Sequence, residues 1–313
     1  RGNMPDPPMP QKNQGWEVRS VMLLRYAPLP ASATGLGRAM TRIAICAPSR
    51  PISHDDAARV SDFAARYPGI DLHFHPQCFY EHGHFAGTDR QRQDAFVECA
   101  NDPAFDAVWF ARGGYGSNRM AEDALARLDH AAQDKAFLGY SDGGYLLGGL
   151  YRQGIGRPVH APMPVDLRRS GGEAAIRRVL GFIAGDRAGL EPGLDHRPVV
   201  AFNLMTLAML CGTSLMPGLA GHVVLIEEVG EYDYAFDRLF FHVTAHLGGV
   251  AGLRLGRVSD VPVNEVDFGQ SAEEIARFWC GRHSIPYLGR ADIGHDIDNT
   301  IVPFGLARAF ARQ

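Results

Sequence analysis

The chain has 313 residues, room for about two domains of ~150 residues each. Its 46% hydrophobic and 21% charged content is that of a globular protein, which excludes general disorder and fibrous repeats. Thirty-one Lys and Arg against 35 Asp and Glu leave a net charge of −4, so the basic excess of a nucleic-acid binder is missing. No apolar run reaches the ~18 residues of a membrane-spanning helix.

Residues 1–17 carry four prolines, and Val18–Met40 holds three arginines around the short apolar run Val21–Leu24. That run is too short for a secretory signal. Residues 1–40 are expected to be a tail, disordered or added in expression, with Met40 a candidate start. The absence of a signal points to the cytoplasm. Cys46, Cys78, Cys99, Cys211 and Cys280 are scattered and never form CxxC, so a zinc ribbon, a thioredoxin site and a disulfide scaffold are unsupported, and most are expected to be small buried residues.

From residue 42 to about 157, short apolar runs alternate with helical patterns. Strands are expected at Ile43–Ala47, Ile70–His75, Ala107–Ala111 and Ala136–Tyr140, and helices at Asp55–Ala65, Arg90–Ala100, Asn118–Leu128 and Gly144–Arg152. Apolar strands spaced by helices indicate an α/β fold with a parallel sheet covered on both faces, whose functional groups gather at the carboxyl ends of the strands. Residues 161–197 read as a connecting region around one amphipathic helix, Glu173–Ala184. Residues 198–313 read as a second, mixed α/β domain, with strands at Val223–Glu227 and Gly249–Val258 and helices at Leu204–Leu210, Phe236–Leu247 and Ala272–Arg282.

Two serines compete for chemistry. Arg112-Gly113-Gly114-Tyr115-Gly116-Ser117-Asn118 follows the strand ending in Phe110. Its glycines permit a sharp turn and bare backbone N–H groups, which suits either a nucleophile with an oxyanion hole or an anion-binding turn. Gly139-Tyr140-Ser141-Asp142-Gly143 matches the G-x-S-x-G elbow after another strand, and is the better serine on motif grounds alone. It equally fits a loop that caps the following helix.

A nucleophilic serine needs a base and an orienting acid. His295 lies in the polar, Gly-flanked loop Gly294–Thr300, while Glu227 and Glu228 close the apolar strand Val223–Ile226. On pattern alone, both carboxylates are expected to face solvent where the strand ends. His242 and His246 are four apart on an expected helix but lack the Glu of H-E-x-x-H, and His73/His75 and His82/His84 have no accompanying ligand pattern. No metal is expected.

Four ordered segments, ARGGYGSNRM, FLGYSD, EEVGEYDYAFDR and GHDIDNTIVPFG, together with the opening IAICAPS, resemble the LD-carboxypeptidase family of serine peptidases over about residues 42–308. That family includes murein tetrapeptide carboxypeptidases and microcin C self-immunity peptidases. The resemblance implies an N-terminal flavodoxin-like doubly wound sheet (41–160) and a smaller C-terminal swivelling β/α domain (198–313), with the site between them.

It also implies a triad of Ser117, Glu227 and His295, an oxyanion hole from Gly113 or Gly114 and Asn118, no cofactor, and a homodimer. Ser141 is demoted to a supporting loop and Gly143 to an incidental neighbour. Arg112 is the candidate partner of a substrate carboxylate.

Phe202 and Asn203, where relatives usually have Gly-Gly-Asn, are expected beside the substrate. The implied reaction releases D-Ala from a murein tetrapeptide in cell-wall recycling. The alternatives are a microcin-type peptidase acting on aminoacyl-nucleotide amides, against which the absence of Trp between Trp109 and Trp279 counts, and a non-catalytic anion-binding protein.

Overall fold

The computed structural model describes residues 40–306. The expected tail over 1–40 lies outside them except for Met40. Strand β1 (Thr41–Cys46), helix α1 (His54–Ala64), β2 (Ile70–Phe74), α2 (Asp89–Asn101), β3 (Ala107–Phe110), α3 (Ala121–Leu125), β4 (Ala136–Gly139), α4 (Gly144–Gln153) and β5 (Arg157–His160) form the first layer system. Helix α5 (Glu173–Ile183) leads to β6 (Pro198–Asn203), α6 (Leu204–Leu210), β7 (Val223–Val229), α7 (Asp233–His246), β8 (Gly252–Ser259), α8 (Ala272–Arg282) and β9 (Tyr287–Arg290). The chain closes through β10 (Val302–Pro303) and β11 (Gly305–Leu306).

Strands β2-β1-β3-β4-β5 pair in parallel in that order, the flavodoxin-like winding, and β10 adds an antiparallel edge beside β5. In the second sheet β6-β7-β8-β9 are parallel and β11 lies antiparallel on β6. Ser53, Thr88 and Ser271 start α1, α2 and α8 as capping boxes with Asp56, Gln91 and Glu274. The central strands are buried on both faces, which is why β3 and β4 read as continuous apolar runs.

Two departures from the sequence pattern have physical causes. The helix expected over Asn118–Leu128 is a 3₁₀ turn, Ser117–Arg119, followed by the short α3, because Gly116 takes φ 128° and the N–H groups of Gly116 and Ser117 are bonded to Asp142. Strands β5 and β6 escape the pattern because each contains a proline, which normally marks an edge or a break. Pro158 keeps only its carbonyl for the sheet, and that carbonyl accepts from Phe304 N–H. Helix α5, within the segment read as a connection, packs Ile176, Val179 and Leu180 into the same apolar cluster as Ile43, Ile45 and Trp109.

The other face of the first sheet is continuous with the second domain. Phe110, Phe137 and Leu146 share one buried cluster with Phe202, Leu207 and Leu225. Glycines at 139 and 143 let the turn after β4 close on Phe110: a Cβ would lie 2.5 Å from its ring at Gly139 and 2.9 Å at Gly143. Gly143 is therefore not incidental, and the sequence-based expectation is corrected on that point. Gly139→Ala should cost about 1–3 kcal/mol through overpacking, read as a lower urea midpoint at unchanged slope. A change within about 0.5 kcal/mol would mean that the ring is not held there.

Candidate active site

The turn between β4 and α4 places Ser141 at the carboxyl end of the first sheet, where φ is 57°, a left-handed value costing a non-glycine residue about 1–2 kcal/mol. The neighbouring glycine turn holds it there. Asp142 Oδ2 accepts from Ser117 N–H at 2.8 Å and from the Ser49 hydroxyl, and Asp142 Oδ1 accepts from Gly116 N–H at 3.3 Å. The Ser117 hydroxyl donates to the Asp142 carbonyl oxygen. One carboxylate thus ties the loops after β1, β3 and β4 together directly behind Ser141.

His295 meets Ser141 and not Ser117. Its Nε2 lies 3.0 Å from Ser141 Oγ, and its Nδ1 lies 2.5 Å from Glu227 Oε2. With a carboxylate at Nδ1 that nitrogen carries the proton, leaving Nε2 as the acceptor for the serine hydroxyl. The expectation that joined Ser117 to this pair is corrected: Ser117 is fully buried and its hydroxyl is bonded to Asp142. The elbow motif carried the signal for Ser141, and the resemblance overrode it.

Glu227 and Glu228 are both buried, contrary to the expectation that they face solvent. The register of β7 on β8 shifts between Ile226 and Glu228, and Gly256 of β8 leaves the space, since a Cβ there would lie 2.9 Å from that of Glu227. Glu228 Oε1 accepts from Asn203 Nδ2 and Val229 N–H, and its Oε2 accepts from Met205 N–H. Burial, reinforced by the adjacent Glu227 charge, outweighs these three donors and pushes the Glu228 carboxyl up to about 7. Glu227 reserves one oxygen for His295, while its Oε1 is buried without a hydrogen-bond partner among the described residues.

The expected oxyanion and substrate residues divide. A Cβ on Gly113 would lie 3.1 Å from both Cβ and Oγ of Ser141, so this backbone passes directly beside the hydroxyl. Gly114 takes φ 117° under the Arg50 side chain. Asn118 belongs to the 3₁₀ turn, its Oδ1 buried without a hydrogen-bond partner among the described residues. Arg112 makes no ion pair among the described residues. It donates to Pro51 O, and burial together with the nearby Arg50 and Arg168 lowers its pKa.

Phe202 and Asn203 are corrected as substrate contacts. Phe202 is buried edge-on to Phe304, with ring centroids 5.2 Å apart, and Asn203 caps α6 through Thr206 N–H while holding Glu228. Sequence reasoning missed Tyr140, whose ring lies 4.8 Å from the His295 ring and whose hydroxyl donates to Asp166. It also missed the buried pair of His160 Nε2 and Asn299 Oδ1 at 3.0 Å, which braces the loop carrying His295; Asn299 Oδ1 also accepts from Gly294 N–H.

Residues 43–161 match the LD-carboxypeptidase N-terminal domain and residues 198–309 the LD-carboxypeptidase C-terminal domain. A putative carboxypeptidase of Synechocystis is 29% identical over 245 residues, 76% of this chain and 80% of its own. The murein tetrapeptide carboxypeptidase of Pseudomonas aeruginosa is 26% identical over 289 residues, 84% of this chain and 91% of its own. The crystal structure of muramoyltetrapeptide carboxypeptidase from Oxalobacter formigenes superposes with a TM-score of 0.70 at 24% identity, covering 85% of this chain and 93% of that one. The microcin C7 self-immunity protein in complex with aspartyl sulfamoyl adenosine gives 0.72 at 19%, covering 85% and 92%. Both likenesses are of fold.

Burial disfavours the His295 imidazolium, but the Glu227 carboxylate, with Glu228 and Asp166 behind it, outweighs burial and raises the pKa above the ~6.5 of a free imidazole. The pairing therefore stabilises the fold fully below that value, and the contribution is lost as pH rises through the folded pKa. Glu227→Gln should lower the pKa of His295 and flatten the pH slope of stability near neutrality. NMR titration of the imidazole checks this, and an unchanged pKa would show that Glu227 is not the partner.

Proposed function

The chain belongs to the LD-carboxypeptidase family of serine-type hydrolases, and from that premise we propose that it releases D-Ala from a murein tetrapeptide with Ser141, His295 and Glu227 as its triad. The observation that carries the triad is the unbroken hydrogen-bond chain from Ser141 Oγ through His295 to Glu227, reaching from one domain to the other. The substrate rests on the murein tetrapeptide carboxypeptidase relative.

In this reading His295 Nε2 takes the hydroxyl proton as Ser141 Oγ bonds to the carbonyl carbon of the LD-amide. Glu227 holds the ring in the productive tautomer and balances the imidazolium that forms. The oxyanion faces the backbone N–H of Gly113 and that of Asp142, with the N-terminus of α4 behind the elbow, an arrangement contributing roughly 3–4 kcal/mol per well-placed donor.

His295 then gives its proton to the departing amine of D-Ala as the C–N bond breaks, leaving the acyl group on Ser141. Water, losing a proton to His295, attacks the acyl carbon, and that proton returns to Ser141 as the peptide leaves. Arg112, which makes no ion pair among the described residues, receives the terminal carboxylate of the substrate.

Ser117, the nucleophile implied by the sequence resemblance, becomes a brace in this reading. Mass spectrometry of a murein tetrapeptide incubated with the protein should show loss of one alanine. Ser141→Ala should reduce the rate by about 10⁴-fold or more, whereas Ser117→Ala should retain most of it. The reverse ranking would return the nucleophile to Ser117, and an intact tetrapeptide would remove the substrate assignment. Arg112→Gln should raise KM by roughly tenfold or more with a smaller change in kcat, as loss of uniform binding does. An unchanged KM would place the carboxylate elsewhere.

A further inference from the structure

At the far end of α6 from the elbow, the fold gathers a set of side chains that the peptidase chemistry does not use. The first turn of α6 touches the elbow through the Thr206 hydroxyl, which donates to Ser141 O at 3.2 Å. Its last residue is followed by Cys211, five residues beyond Thr206 and so about 7.5 Å further along at 1.5 Å per residue. The Cys211 N–H is bonded to Leu207 O and Gly212 turns away at φ 81°, so the thiol stays at the helix end. Opposite it, α7 presents His242 and His246 one helical turn apart, with ring centroids 4.5 Å apart.

One ligand atom from each of Cys211, His242 and His246 lies within 4.8 Å of the other two. The sequence pattern set the two histidines aside because the Glu of H-E-x-x-H is missing between them, and the packing of α6 on α7 brings a third ligand from elsewhere in the chain.

We infer that Cys211, His242 and His246 form a binding site for a zinc-class divalent cation. The donor set, one thiolate and two imidazoles, is the borderline-soft N/S combination that suits Zn²⁺ and discriminates against Mg²⁺ and Ca²⁺. Bonds of about 2.0–2.3 Å in a tetrahedron place ligand atoms about 3.5 Å apart, so side-chain rotation closes the remaining gap. His246 is already oriented for it: its Nδ1 donates to His242 O at 2.9 Å, which leaves Nε2 with the free lone pair. Cys211 and His242 are half-buried and His246 is exposed, so an ion enters from solvent and keeps a fourth position for water. Bound there, it crosslinks the end of α6 to α7.

Titrating the full chain with Co²⁺ tests the site, because a thiolate ligand gives a near-ultraviolet charge-transfer band and tetrahedral N/S coordination gives strong visible bands. One equivalent should saturate both, and excess Zn²⁺ should bleach them. Cys211→Ser should abolish the charge-transfer band, and the exposed His246→Ala should weaken affinity by roughly tenfold or more. Zn²⁺ at about 100 times its Kd should raise the Tm of the unsubstituted protein by roughly 5 °C and leave that of Cys211→Ser unmoved. Absence of the thiolate band, or its persistence in Cys211→Ser, would overturn the assignment and leave only surface imidazole binding. None of these readouts depends on the peptidase reading.

Discussion

The left-handed backbone of Ser141 is the constraint on which the site depends. A side chain at φ 57° is uphill by about 1–2 kcal/mol, and nothing local to the turn removes that cost. Asp142 offsets it with the bonds its carboxylate accepts from Gly116, Ser117 and Ser49. Those partners come from the loops after β3 and β1, so the geometry of one residue after β4 is set by three strand ends together. This is also why the glycine turn resembles a nucleophile turn in sequence: its N–H groups do point at an anion, but the anion belongs to the protein.

The second constraint is electrostatic. Glu227 and Glu228 are adjacent, buried carboxyls, an arrangement that survives only if their surroundings differ. Glu228 is surrounded by Asn203, Met205 and Val229 donors, whereas Glu227 has His295. The shift in register between β7 and β8, with glycine at 256, makes room for both. Bracing of the imidazole from the other side, by the Tyr140 ring and by the Asn299–His160 pair, comes from the first domain and from the loop itself.

Much of this was legible in the sequence, and the remainder was hidden for identifiable reasons. Periodicity located β1 to β4 and α6 and α8 closely because fully buried strands and amphipathic helices leave strong patterns. Pro158 and Pro198 concealed β5 and β6. His295 stood out by its polar Gly-flanked loop, whereas the strand-end pattern offered Glu227 and Glu228 alike and only the resemblance singled out Glu227. Pattern, however, could not say that a carboxylate after such a strand turns inward, which depends on the neighbouring strand.

The G-x-S-x-G spacing favoured Ser141 and the resemblance favoured Ser117, and the distance to His295 across the domain interface is what separates them. Phe202 was misjudged for a related reason: its bulk fills the space beside Phe304 and not a cleft.

The last described strands carry a further implication. Val302–Pro303 completes the first sheet beside β5, Gly305–Leu306 completes the second beside β6, and Phe304 between them is buried. A single pentapeptide at the end of the described residues thus stitches both sheets, eight residues after Gly294 opens the histidine loop. Strands β1 to β5 and the Ser141 elbow all precede His295 in the chain, so neither the imidazole nor the clasp beside it can meet the elbow until residues up to 306 are in place. The pairing of Ser141 with His295 therefore depends on a late segment: a chain cut before Gly294 would keep the strands that shape the elbow and lose both the imidazole and the strands that join the two sheets.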